Sequence, residues 1–102
     1  MNKKITEIAK KYKVNLESYG VPIEEMYLFG SFAKGTENKW SDIDLAVVSP
    51  LFGVDSISDR VFLMRIRDEE TKLVEPHPFS TKAFNDINNL LVRNIKQGIK
   101  IL

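Results

Sequence analysis

The chain has 102 residues, is 43% hydrophobic and 28% charged, and carries a formal net charge of +1 from 15 basic and 14 acidic residues. This suits one small domain over residues 1–102 with a modest core, and the near-even charge argues against a general nucleic-acid coat, so direct nucleic-acid binding is not expected. Cysteine is absent, which excludes disulfides and thiolate metal sites; with no apolar leader and no run of spanning length, a cytoplasmic chain without a membrane segment is the expectation.

Ile5, Ile8, Ala9, Tyr12, Leu16 and Tyr19 recur at helical spacing and predict a helix over 3–19. Lys3, Lys4, Lys10, Lys11 and Lys13 fall mostly off that stripe, as a solvated face would. Gly20 and Pro22 stop the helix. The apolar run Met26-Tyr27-Leu28-Phe29 predicts a first strand over 25–29, ended by Gly30-Ser31. A polar loop over 35–41 contains Trp40, placed either to pack beside the next strand or to stack on a base.

Asp42 to Val48 reads as the second strand. Side chains alternate across a strand, so Ile43, Leu45 and Val47 share one face and Asp42 and Asp44 the other. Ser49 to Gly53 is a loop. A helix is expected over 57–70, with Ser56 and Asp59 as a loose capping box and Ile57, Val61 and Met64, joined by Phe62 and Ile66, as its apolar face. Arg60, Arg65 and Arg67 are either solvated or paired with Asp68, Glu69 and Glu70, unless one reaches a triphosphate or a partner.

A third strand is expected over 73–76. Pro76 lacks a ladder donor, so the strand ends there or lies at a sheet edge. His77, the single histidine, reads as a structural or rim residue rather than a general base. Ser80 or Thr81 caps a final helix carrying Phe84, Ile87, Leu91 and Ile95, which Gly98 ends. The tail Ile99-Lys100-Ile101-Leu102 pairs at a sheet edge, covers the core or meets a partner.

The chemistry lies in the aspartates and the Gly-Ser turn. Two carboxylates so close repel one another, and aspartate is depleted in strands, so the pair needs a neutralising cation. A hard divalent ion with oxygen ligands is the natural partner. Glycine lets backbone approach a ligand closely, and a helical turn beginning near Ala33 would aim amides at an anion. The Ser31 hydroxyl can donate to a phosphate oxygen. A phosphate cradle beside metal carboxylates points to phosphoryl or nucleotidyl chemistry.

Gly30-Ser31, ten residues, then Asp42-Ile43-Asp44 resembles the signature of the DNA polymerase β-like nucleotidyltransferase superfamily, and the whole chain resembles its minimal branch, often the antitoxin partner of HEPN-domain toxins. That family usually has arginine where this chain has Lys34, which keeps the charge but loses the bidentate fork. The resemblance implies an α/β (α+β) nucleotidyltransferase fold, a small mixed sheet flanked by helices. It also implies Asp42, Asp44 and Glu75 as catalytic carboxylates holding two Mg²⁺ ions, with Gly30, Ser31 and Lys34 toward the phosphates of ATP. The implied activity is AMP transfer to a hydroxyl of a HEPN-type toxin in a hetero-complex. Two alternatives stand beside it: an antitoxin that neutralises its toxin by contact, and a transferase acting on a small molecule such as an aminoglycoside. Larger members carry an added domain for base or acceptor; a chain this short implies that the acceptor surface comes from another molecule.

Overall fold

The computed structural model describes residues 3–35 and 42–102; Trp40 and Ser41 lie outside them. Helix α1, Lys3–Ser18, turns Ile5, Ala9, Tyr12 and Leu16 inward as their spacing predicts, while Tyr19 lies beyond its end, exposed. Gly20, at φ 81°, takes the left-handed turn that stops it. Strand β1 is Glu25–Phe29 and β2 is Ile43–Val48; between them Ser31–Lys34 forms one helical turn, α2.

β1 and β2 are antiparallel, with Phe29 opposite Asp44 and Glu25 opposite Val48. Strand β3, Val74–Phe79, runs parallel to β2, and β4, Ile99–Lys100, pairs antiparallel with β1, giving the order β3-β2-β1-β4. The tail therefore pairs at the sheet edge. β3 does not end at Pro76 but continues through Pro78, which its edge position permits. Leu73 and Phe79 carbonyls accept from Ile43 and Ser49 amides, so odd-numbered residues face β2 and both prolines turn their donor-less nitrogens outward.

One face of the sheet buries Met26, Leu28, Ile43, Leu45, Val47 and Val74 against α1 and against α3, Ser56–Arg65. The Tyr12 hydroxyl fastens the two helices, donating to the Leu63 carbonyl at 2.6 Å, and burial pushes that phenol's pKa upward. The other face buries Ala46 and Val48 under Phe84, Val92 and Ile95.

Three expectations for the helix after β2 are corrected. The helix expected over 57–70 is α3 only; Asp68 then caps a separate 3₁₀ turn, Glu69–Thr71, and Arg67 bridges the break by donating to the carbonyls of Met64, Lys72 and Val74. Its cap is Asp55, which accepts from the Ile57 and Ser58 amides, not Ser56; Asp59 instead accepts from the Gly53 amide. Its buried side chain is Leu63, with Ile66 just beyond its end, while Ile57, Val61, Phe62 and Met64 are exposed. The segment carries apolar residues all round, so spacing alone does not choose a face; packing against α1 does.

The final helix is two pieces, α4 (Thr81–Phe84) and α5 (Leu90–Lys96). Asp86 accepts from the Asn88 amide, and Asn89 caps α5 by accepting from the Val92 amide. These short polar side chains compete with the helix for backbone donors and break it. Ile87 and Leu91 consequently face solvent, and Val92 joins Phe84 and Ile95 inside. Ser80 caps α4, accepting from the Ala83 amide. Gly98 follows α5, where a Cβ would meet the Leu28 carbonyl oxygen at 2.2 Å. No helix among the described residues is long and apolar enough to cross a membrane.

Candidate active site

β2 and β3 build the site by register. Parallel pairing sets Asp44 beside Glu75 and Ala46 beside His77, so both alternations place their polar side chains on one face. Asp44, Glu75 and His77 each present a donor atom, all within 4.8 Å of one another. The His77 Nε2 lies 3.2 Å from Asp44 Oδ1, and the imidazole packs edge-on to Phe29 with ring centroids 5.1 Å apart. The three side chains are one-quarter to one-third exposed: 25% for Asp44, 26% for His77 and 34% for Glu75.

Gly30 closes the site from β1. Its φ of 76° and ψ of −152° belong to a region essentially restricted to glycine. A Cβ there would stand 2.3 Å from Asp44 Oδ2. The backbone after β1 thus lies directly against the carboxylate, bringing the Gly-Ser turn and the acid into one place. Ser31 opens α2, whose first amides have no intrahelical acceptor; the Lys34 amide donates to the Gly30 carbonyl at 3.2 Å. Lys34 is exposed and, with Gly30, Ala33 and Gln97, lines a cleft of about 130 Å³.

Asp42 stands just before β2, exposed, and outside the three-residue group. The structure therefore unites Asp44, Glu75 and Gly30, with Ser31 next in the chain, while Asp42 and Lys34 are exposed. Sequence reasoning left two residues out. His77, expected as a structural or rim residue, joins the group because it alternates with Glu75 as Asp44 does with Asp42. Arg60 reaches over from α3, its Nη2 2.9 Å from Glu75 Oε1; fifteen positions apart, the two had no motif to link them. Arg60 with Ile57, Val61, Met64 and Phe79 also lines a groove of about 420 Å³ that opens beside His77.

Two carboxylates and an imidazole so close suit a divalent cation, and the absence of a side chain at Gly30 is what lets Asp44 lie against the backbone. The family model for the nucleotidyltransferase domain matches residues 4–101. A proposed nucleotidyltransferase from Sulfolobus solfataricus shares the fold at a TM-score of 0.57 and 23% identity, over 80% of this chain and 78% of that one. A toxin–antitoxin structure with AMP-PNP aligns at a TM-score of 0.58 and 22% identity, over 90% of this chain and 71% of that one. No curated protein matches the sequence. The chain belongs to the nucleotidyltransferase domain family.

Proposed function

We propose that this domain transfers AMP from ATP to a hydroxyl of a partner protein, and that the partner is a HEPN-type toxin for which this chain is the antitoxin. The observation that carries the chemistry is the contact of the Gly30 backbone with Asp44 beside Glu75. The toxin–antitoxin neighbour with AMP-PNP supports the biological setting.

Asp44 and Glu75, with Asp42 at the mouth, would hold two Mg²⁺ ions. Ions so held would supply positive charge to the attacking and leaving oxygens of an in-line displacement. Gly30 admits the β- and γ-phosphates to the backbone, Ser31 donates to a phosphate oxygen, and Lys34 adds positive charge at the cleft. The acceptor oxygen bonds to the α-phosphorus, the bond to pyrophosphate breaks, and the acceptor proton leaves to water. Arg60 holds one Glu75 oxygen from α3, fixing that carboxylate beside Asp44.

One observation favours a second reading, neutralisation by contact: α3 leaves Ile57, Val61, Phe62 and Met64 exposed around the groove beside His77. Transfer of label from α-³²P NTPs into a lysate of the source cell, with Mg²⁺, separates the two. A protein band with wild type and none with Asp44→Asn supports transfer. No band with any NTP, alongside stable capture of a partner, supports contact alone.

A further inference from the structure

We infer that His77 is a nitrogen ligand of the cation held at Asp44 and Glu75, and that this mixed donor set prefers Mn²⁺ or Co²⁺ to Mg²⁺. The inference rests on the reading above, which places a cation at those two carboxylates.

The backbone aims the ring. His77 follows Glu75 by two residues on β3, so both side chains leave the same face, and Ala46 beside it leaves only a methyl group there. Phe29 then fixes the imidazole from β1, at 62° between ring planes. The ring is held with Nε2 toward Asp44.

The His77–Asp44 distance fits shared coordination. Two atoms bonded to one ion at about 2.0–2.2 Å, about 90–100° apart, lie about 3 Å from each other. His77 Nε2 and Asp44 Oδ1 are 3.2 Å apart. Arg60 engages Glu75 through Oε1, and a carboxylate offers a second oxygen. Asp44, Glu75 and His77 thus offer two carboxylate oxygens and one imidazole nitrogen within 4.8 Å of one another. An all-oxygen set suits Mg²⁺; an imidazole nitrogen adds affinity for first-row transition ions.

A hydrogen bond from His77 that merely steadies Asp44 would produce the same contact without metal–nitrogen bonding, so the test reads the bond itself. The probe is Mn²⁺ bound to the tag-free full chain, observed by pulsed electron paramagnetic resonance. His77 is the chain's single histidine, so ¹⁴N imidazole coupling has one source. The expected result is clear coupling in wild type and its loss in His77→Gln. Co²⁺ should displace the bound Mn²⁺ at a concentration at least about tenfold below that of Mg²⁺, with the gap narrowing in the variant. Wild-type Mn²⁺ without nitrogen coupling overturns the inference, and this needs no variant to fold. Asp44→Asn separates the two failures: if it abolishes Mn²⁺ binding while wild type shows no coupling, the carboxylate site stands and only the ligand role of His77 falls. If Asp44→Asn binds Mn²⁺ as wild type does, the underlying reading falls as well.

Discussion

Asp44 and Val48 lie on the same face of the same strand, four residues apart, and meet opposite surroundings. Val48 and Ala46 are sealed beneath Phe84, Val92 and Ile95, whereas Asp44 is open to solvent and touches Gly30 and His77. The covering side chains end where the carboxylates begin. One half of this face is therefore cohesion and the other is chemistry, and substitutions should separate the two.

The largest expected effect is on the covered half. Phe84 is fully buried, packs against Tyr27 and Phe79 with centroids 5.5 Å away in each case, and carries Lys96 over its ring at 5.0 Å. Phe84→Ala should destabilise the fold by about 3–5 kcal/mol, read as a lowered denaturation midpoint in urea. A loss below about 1 kcal/mol would mean that α4 and α5 do not seal this half.

On the open half, Asp44→Asn should reverse that pattern. Partners outside a metal's immediate ligands already cost about 10- to 100-fold when removed, so losing a ligand should reduce transfer by at least about a hundredfold, or roughly 2.7 kcal/mol of barrier. The midpoint in urea should change little, because Asp44 is not part of either apolar cluster. Normal turnover by the variant would remove Asp44 from the cation site. Glu75→Gln should slow transfer more than it weakens ATP binding, measured as separate rate and affinity; an unchanged rate would take Glu75 out of the site.

Gly30→Ala tests the seam. It forces a side chain onto a positive φ and toward Asp44 Oδ2, so a loss of about 1–3 kcal/mol is expected, accompanied by weakened Mn²⁺ binding. Stability lost with Mn²⁺ affinity intact would mean that the backbone, not the carboxylate, absorbs the change.

Much of this contrast is legible in the residues. Alternation at the start of β2, Asp42-Ile43-Asp44-Leu45, sets the face of each side chain, and the Gly-Ser turn at its spacing points to Asp44. α1 is legible because its apolar residues form one stripe opposite a row of lysines. α3 is not, because Ile57, Val61, Phe62, Leu63 and Met64 offer more than one face and only packing into the cluster with Tyr12 and Leu16 chooses Leu63. The break between α4 and α5 was written in Asn85, Asp86, Asn88 and Asn89, but helical spacing of Ile87 and Leu91 pointed across it. Arg60 became visible only when folding laid α3 beside β3. Local pattern thus shows which face a strand buries; which part of that face stays uncovered depends on how distant helices end.

The smallest effect concerns acid stability, away from both halves. The Asp55 carboxyl is held below the usual carboxylate range, first by the Ser58 amide and then by the Ser58 hydroxyl. Asp68 is held low as well, first by the Thr71 hydroxyl. A carboxylate whose folded pKa is depressed binds protons more readily in the unfolded chain. Its stabilising contribution is therefore present above the unfolded value of about 3.9 and is lost as pH falls through the folded one. The melting temperature should be nearly level from pH 7 to about 5 on account of these groups and fall below about 4. Asp55→Asn isolates one of them, because asparagine caps a helix about as well as aspartate but does not titrate. The variant should melt within a few degrees of wild type at neutral pH and show a shallower acid branch. Parallel branches would mean that Asp55 does not contribute to acid unfolding, leaving Asp68 to account for it.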